Sequence, residues 1–202
     1  MNQLTSRRSV RIYDPNIKIS KEAMTQIIND TMRAPSSMNM QPTRFFIVTS
    51  DEAKAKLAPV LHGNKSQLTT SAAMICMMTD LEKFEYAEAI YNKAVDAGLM
   101  PEEVRDRQLR NIANFADDLT PAAVEKTGLL DGGIIAMQLM HVARSYGYDT
   151  CPIGGFKHEM LAEALGIDPK RYRPILIVSI GKKAEDGYPS VRLDADQVST
   201  WL

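Results

Sequence analysis

The longest helical segment of the sequence limits the folds that this chain can adopt. Residues 120–146 predict one helix, with Thr120 as its N-cap and Pro121 at its first position. Its apolar residues cover more than one face; they are Ile134, Ile135, Met137, Leu139, Met140, Val142 and Tyr146. A helix that is apolar around most of its circumference is either buried or part of a subunit interface. The rest of the chain, or a second copy of it, must therefore cover this helix on several sides.

Strand and helix patterns alternate along the rest of the sequence. Compact apolar segments predict strands at residues 44–50, 71–79 and 173–181, and a strand followed by a tight turn at residues 148–156. Helical periodicity predicts helices at residues 20–33, 51–61 and 158–167, and an exposed pair of helices within residues 83–119. Such alternation places the chain in the α/β or the α+β class.

The size and the charge of the chain are those of one ordinary globular domain. The 202 residues, 45% of them hydrophobic, can bury one sizeable core, so we expect a single domain over residues 1–202. The formal net charge of -1 gives no long-range attraction to nucleic acid or to an anionic membrane. No apolar run approaches the roughly 20 residues of a membrane span. Two cysteines far apart in the sequence fit a reducing compartment, and we expect a cytoplasmic protein.

A basic segment, RRSVR at residues 7–11, is the first candidate binding site. In an extended chain Arg7, Ser9 and Arg11 would point to one side, and Arg8 and Val10 to the other. Two guanidinium groups and a hydroxyl could hold a phosphate through charge-assisted hydrogen bonds. A solvated basic terminus is an equally open interpretation of this segment.

A polar loop between the first helix and the first strand is the second candidate. Ser36, Ser37, Asn39 and Gln41 place four neutral hydrogen-bonding side chains within six residues, and prolines 35 and 42 flank them. Asn and Gln carry both donors and acceptors, so they can match the edge of a heterocycle. An ordinary polar loop is the alternative, because loops are rich in these residue types.

The third candidate is the glycine pair in CPIGGF, residues 151–156. Gly154 and Gly155 follow a predicted strand, where backbone N–H groups could approach a ligand without interference from side chains. A simple turn is the alternative. The chain contains neither the G-x-G-x-x-G pattern of dinucleotide sites nor a P-loop.

Other kinds of site have little support in the sequence. The three histidines, His62, His141 and His158, lack the spacing of metal ligands, and we expect no metal site. Cys151 precedes a proline and has no evident basic activator. No G-x-S-x-G motif occurs. The sequence therefore predicts no catalytic acid, base or nucleophile.

Five stretches in this order resemble the FMN-dependent nitroreductase family. They are RRSVRIYD, APSSMNMQPTRFFIV, GNKSQLTTSAAMICM, PIGGF and the arginine of VRL near the end. The resemblance implies an α+β, three-layer α/β/α fold with a mostly antiparallel sheet, and an intertwined homodimer with two FMN sites at its interface. It also implies that NADH or NADPH reduces the flavin, which then reduces a nitroaromatic, a quinone or a similar acceptor in a ping-pong cycle. The cofactor carries this chemistry, which agrees with the lack of catalytic side chains.

The resemblance also implies which residues contact FMN. Those near the phosphate would be Arg7, Ser9 and Arg192, with Arg8 along the ribityl chain. Arg11 would reach the ribityl–pyrimidine region and tune the flavin, and Asn64 and Gln67 would lie at the pyrimidine edge. Ile153, Gly154 and Gly155 would place backbone against the dimethylbenzene–N5 side. The second subunit would line the ring with Pro35, Ser36, Ser37, Asn39 and Gln41.

Two departures from the family pattern change the charge of the expected site. Gln67 stands where many members carry a lysine, which removes a positive charge from the pyrimidine end. Ser190 stands where many carry a basic residue two positions before Arg192, so we expect either weaker phosphate binding or a charge supplied by Lys182 or Lys183. Residues 83–119 would form the variable region beside the substrate channel. Residues 182–202 would be a tail that docks on the partner subunit.

Two alternative functions stay open. A flavin-binding, flavin-remodelling or dehalogenase-type protein of the same fold, without nitroreductase activity, is compatible with Gln67. A nucleic-acid binder that uses the basic N-terminal segment is the other alternative, and the balanced total charge argues against it.

Overall fold

A four-stranded antiparallel sheet organises the fold in the computed structural model, which describes residues 4–202. The strands are β1 (Thr43–Val48), β2 (Ala73–Asp80), β3 (Asp149–Ile153) and β4 (Tyr172–Gly181). Their order across the sheet is β1-β2-β4-β3, so β1 and β3 are the two edge strands. Each adjacent pair is antiparallel.

Helices cover both faces of this sheet. Within the described residues they are α1 (Lys21–Thr31), α2 (Asp51–Leu57), α3 (Lys65–Thr70), α4 (Ala87–Asp96), α5 (Glu102–Asp117), α6 (Pro121–Ser145), α7 (His158–Leu165) and α8 (Ala195–Val198). Two 3₁₀ turns occur at Ser37–Asn39 and Lys83–Tyr86. No helix in residues 4–202 has both the length and the apolar character that crossing a bilayer requires.

Strand β2 divides the apolar core into two layers. Its residues Ala73, Ile75 and Met77 pack with α1 and α6 on one face, whereas Met74, Cys76 and Met78 pack with α2 and α7 on the other. Successive side chains of a strand point to opposite faces, so a central strand with helices on both sides is buried along its whole length. The three-layer α/β/α architecture expected from the family resemblance is confirmed.

Several predicted helix ends are confirmed by their caps. Ser20 Oγ accepts a hydrogen bond from Ala23 N at 3.1 Å, and Thr120 Oγ1 accepts one from Ala123 N at 3.3 Å. Gly166, with a φ of +68°, ends α7 in the left-handed conformation that favours glycine. Two predicted helices are too long: the first ends at Thr31, and α2 ends at Leu57, shortly before Pro59, which has no N–H to extend it.

The long helix α6 approaches the sheet closely at a glycine. A Cβ built on Gly132 would lie 2.4 Å from Ile175 Cδ1, which is much closer than a van der Waals contact. The neighbour is thus a side chain of β4. A Cβ on the adjacent Gly133 would meet no heavy atom within 4 Å.

This difference gives a matched pair of substitutions. Gly132→Ala should destabilise the fold by about 1–3 kcal/mol, because the added methyl group overpacks the contact with Ile175. Gly133→Ala should leave stability unchanged or raise it by up to about 1 kcal/mol through helix propensity. Thermal unfolding of both variants measures the difference. Equal melting temperatures would contradict the close approach of α6 to β4.

Candidate functional site

The basic N-terminal segment lies against edge strand β3. Val10 N donates to Thr150 O at 3.1 Å, and Ser9 forms an isolated parallel bridge with Thr150. Val10 is buried, whereas Arg8 is exposed and its Nη1 donates to the carbonyl oxygens of Thr5 and Arg7. Arg8 and Val10 therefore do not share an environment, although simple alternation would place them on one side.

The guanidinium groups of Arg8, Arg144 and Arg192 form a cluster within electrostatic reach of Arg7. The Nη1 atom of this half-buried side chain is inaccessible to solvent and has no hydrogen-bond partner within residues 4–202. Burial lowers the pKa of Arg7, and the charges of Arg192, Arg144 and Arg8 lower it further, while Cys151 acts in the opposite direction. A buried donor among like charges is unfavourable unless an anion accepts from it. The arrangement therefore fits a bound anion.

The start of the C-terminal tail covers the other side of this segment. A Cβ on Gly187 would lie 2.7 Å from Ser9 O, so only a glycine allows the tail to pass this closely. The exposed Arg11 lies with its guanidinium 5.3 Å from the ring centre of Tyr188. Arg192 Nη1 donates to Ser190 Oγ at 2.9 Å. Arg11 and Arg192 are both exposed and therefore accessible to a ligand.

The amides of Asn64 and Gln67 form the next group along β3. Asn64 has a left-handed φ of 53° at the start of α3, a helix that the sequence did not predict. Buried Gln67 donates from Nε2 to Asn64 Oδ1 at 3.0 Å, and the same nitrogen lies 4.0 Å from Cys151 Sγ. Gln67 thus fixes the orientation of the Asn64 amide.

The glycine pair lies at the far end of β3. Ile153 is buried, and the exposed Gly155 accepts at its carbonyl from His62 N at 3.0 Å. A Cβ on exposed Gly154 would meet no heavy atom within 4 Å, so the backbone here is open to a ligand. From Thr150 to Gly154 the strand rises about 13 Å, at roughly 3.3 Å per residue. An elongated ligand could lie along it.

The polar loop at residues 35–41 has an unusual backbone. Met38, Asn39 and Gln41 have positive φ angles of 51°, 55° and 48°, which cost free energy in residues with a side chain. Ser36 Oγ accepts from Gln41 N at 3.0 Å, and Gln41 Nε2 donates to Asn39 Oδ1 at 3.3 Å. Internal hydrogen bonds thus hold a loop whose Pro35, Ser37 and Asn39 are exposed.

A buried carboxylate that the sequence analysis missed anchors this loop to α6. Ser37 donates to Asp131 Oδ1 from both its backbone N and its Oγ, each at 3.0 Å. Asp131 is 3% exposed, and its Oδ2 has no hydrogen-bond partner among the described residues. Burial lowers the pKa of the nearby Lys83, and the charge of Asp131 opposes that shift. An acid within the apolar run LLDGGII was the available signal, because a buried carboxylate requires partners.

A second buried carboxylate fixes the end of the loop to the sheet. Asp80 is fully buried and accepts from Arg171 Nε at 2.9 Å, with Arg44 Nε at 3.4 Å. Arg44 Nη1 donates in turn to Gln41 O at 2.7 Å. The loop is therefore held at both ends by side chains outside it.

One chain does not bring the loop and the β3 residues together. The loop precedes edge strand β1, whereas the arginines, the amides and the glycine pair lie along the opposite edge strand. Three strand spacings separate these edges by about 14 Å. Thr43 of β1 pairs with Thr79 of β2, which in turn pairs with Arg173 of β4. Thr150 of β3 pairs with Ile180, which lies seven residues further along β4. That offset adds about 23 Å along the strands at the arginine end of β3. Ile153 pairs with Ile177, so the offset is about 13 Å at the glycine end.

Metal chemistry has no evident site in the described part of the chain. Residues 4–202 contain no group of three or more His, Cys, Asp or Glu side chains placed to hold a metal ion. His158 instead stacks on Phe156, with ring centres 4.2 Å apart.

Comparison with known proteins gives consistent matches over the whole fold. The model of the nitroreductase family matches residues 4–182. "Putative NAD(P)H nitroreductase YdgI" of Bacillus subtilis is 47% identical over 201 residues, which are 100% of this chain and 96% of that protein. The CLA biosynthesis enone reductase of Lactiplantibacillus plantarum is 32% identical over 198 residues, or 98% of this chain and 91% of that protein.

Two solved structures that are highly similar to this chain have names that mention FMN. A "putative nitroreductase in complex with FMN" from Exiguobacterium sibiricum has a TM-score of 0.97 and 47% identity, covering 99% of this chain and 95% of that one. A "putative NAD(P)H:FMN oxidoreductase" from Staphylococcus epidermidis has a TM-score of 0.96 and 44% identity, covering 99% of this chain and 94% of that one.

The anchor at Asp131 can be tested by hydrogen exchange. Asp131→Ala should speed amide exchange at Ser37 by roughly ten- to a hundred-fold, because it removes hydrogen bonds to a charged acceptor. The matched control is Asp117→Ala, which removes an exposed carboxylate at the end of α5. Exchange measured by mass spectrometry over residues 35–41 reports the result. An unchanged rate in Asp131→Ala would show that the loop does not depend on this anchor.

Proposed function

This chain belongs to the nitroreductase family, and from that premise we propose that it is an FMN-dependent oxidoreductase, with NAD(P)H as the electron donor and a nitroaromatic, a quinone or a related compound as the acceptor. The observation that carries the proposal within this chain is the buried Arg7 Nη1 atom without a partner. This atom offers a binding partner for a phosphate, which agrees with the similarity of the chain to the FMN complex from Exiguobacterium sibiricum.

The arginine cluster fits the phosphate of FMN. A phosphate monoester carries about −1.5 to −2 charges at neutral pH and offers three acceptor oxygens. Arg7, Ser9 and Arg192 would hold it, and Arg7 Nη1 would gain the acceptor that it lacks. Arg8, which is exposed next to Arg7, would lie along the ribityl chain.

The remaining residues along β3 fit the flavin ring. When bound, FMN accepts a hydride from NAD(P)H and delivers electrons to the acceptor. Asn64, oriented by Gln67, would donate to the pyrimidine edge, and the open backbone from Ile153 to Gly155 would lie against the N5 side. Arg11 would place positive charge near the pyrimidine, where it stabilises a reduced, anionic ring.

The second half of the site would come from another copy of the chain in an intertwined homodimer. The loop residues Pro35, Ser36, Ser37, Asn39 and Gln41 lie at the edge of the sheet opposite β3, and they are farthest from its arginine end. Exposed apolar side chains that a partner could cover occur on α6 and in the tail; they are Leu130, Ile134, Met137, Val191, Leu193, Val198 and Trp201. The tail, residues 182–202, would dock on the partner.

Helices α4 and α5 would border the substrate channel. They share a small apolar cluster of Met40, Ala87, Tyr91 and Ile112, and Tyr91 Oη donates to Met38 O at 3.2 Å. The hairpin of α4 and α5 therefore rests on the loop that would line the ring. Similarity to an enone reductase adds conjugated enones to the acceptors worth testing.

The domain boundaries and the location of the protein stay predictions. The sequence predicts a single domain over residues 1–202 in the cytoplasm. The matched residues 4–182 support one domain, with the tail as an extension of it.

Anaerobic reduction of the bound flavin tests the function. The purified protein should carry FMN, lose the visible absorbance of that flavin on addition of NADH or NADPH, and recover it with a quinone, a nitroarene or an enone. Arg7→Gln should lose most of the flavin, because the phosphate loses a buried partner, whereas Lys21→Gln removes one exposed charge from α1 and should keep it.

Each other outcome has a defined meaning. A colourless protein that takes up no added FMN would contradict the proposal. Bound flavin that NAD(P)H does not reduce, or that no acceptor reoxidises, would favour a flavin-binding or flavin-remodelling protein of the same fold.

A further inference from the structure

We propose that Arg144 is a third guanidinium of the phosphate site and that it contributes to a preference for FMN over the unphosphorylated flavin, riboflavin. The inference rests on the proposed function, since it concerns the same cofactor site. It adds Arg144 to the site residues that were predicted from the sequence.

Arg144 is fixed next to Arg7 by a hydrogen bond. It lies in the last turn of α6, half-buried, and its Nη2 donates to Ser6 Oγ at 2.9 Å. Ser6 directly precedes Arg7, whose buried Nη1 has no partner. Helix α6 thus brings a side chain from far along the sequence to the N-terminal segment.

The lysines expected to replace the charge missing at Ser190 have other partners. Lys182 Nζ donates to Gly147 O at 2.8 Å, and Lys183 forms an ion pair with Asp186. Ser190 itself accepts a hydrogen bond from Arg192 at 2.9 Å and so orients that guanidinium. Arg144 is therefore a better candidate for the missing charge than either lysine.

The charge around Arg7 has no ion-pair partner within residues 4–202. Among the ion pairs formed by residues 4–202, none includes Arg7, Arg144 or Arg192. The positive charges of Arg144 and Arg192 both lower the pKa of Arg7, which places the three groups within electrostatic reach of one another. A phosphate dianion is the kind of ligand that would balance them.

Titration with two flavins tests the proposal. Full-length protein, freed of flavin by exchange, is titrated with FMN and with riboflavin, which has no phosphate. Arg144→Gln should weaken FMN binding by roughly ten- to a hundred-fold, as loss of a charge-assisted hydrogen bond implies. Riboflavin binding should stay within about two-fold, because no phosphate is present to lose a partner.

Two control variants separate charge from structure. Arg144→Lys keeps the charge and should retain most of the FMN preference. Ser6→Ala removes the hydrogen-bond partner of Arg144 but no charge, and should weaken FMN binding much less than Arg144→Gln. Thermal unfolding of each variant, measured alongside, reports any general loss of stability.

The remaining outcomes overturn the proposal. Equal weakening of both flavins in Arg144→Gln would indicate a structural role, and unchanged FMN binding would remove Arg144 from the site. A wild-type protein that binds neither flavin would overturn the proposed function, and this inference with it. A wild-type protein that binds FMN is required for either result with Arg144→Gln, so these results are distinguishable from failure of the proposed function.

Discussion

Positive charge without an acidic counterpart is the constraint on which the account of this protein depends. Arg7 is half-buried with an unpaired Nη1 atom, and Arg144 and Arg192 raise the local charge rather than neutralise it. The chain as a whole has a net charge of -1, so this concentration is local. Such a cluster is unfavourable in isolation and becomes favourable when an anion binds. The bridge between Ser9 and Thr150 places the basic segment at the β3 edge.

The geometry of the sheet favours the proposal that the site is built from more than one chain. An open sheet has two edges, and this one carries the charged segment at β3 and the polar loop before β1. The loop contains three residues with positive φ, and it keeps that conformation through Asp131 and through the Arg44–Asp80 contact. A conformation that is held so firmly and lies so far from the arginines is best explained as a contribution to the site of a second copy.

Local sequence patterns determine how much of the fold and of the candidate site could be predicted. Caps such as Ser20, Thr120 and Gly166 were readable because they act within a few residues. Helix α3 was missed because its sequence, KSQLTT, is polar and lacks apolar periodicity. The basic segment and the polar loop were candidate sites from their residue patterns, and the family resemblance assigned both of them to FMN. Arg144 and Asp131 were not predicted, since their importance arises from contacts with Ser6 and Ser37 more than 90 residues away in the chain.

A mixed dimer tests most directly whether two chains share each site. One chain carries Arg7→Gln, which disables the β3 edge, and the other carries Asn39→Ala with Gln41→Ala, which disables the loop. Each variant alone should lose FMN. The heterodimer is isolated through two different affinity tags. If the two chains share each site, one of its sites carries all the substitutions and the other carries none. The heterodimer should then bind one FMN per dimer. A heterodimer that binds no FMN would show that each site is built from a single chain, and would contradict the account.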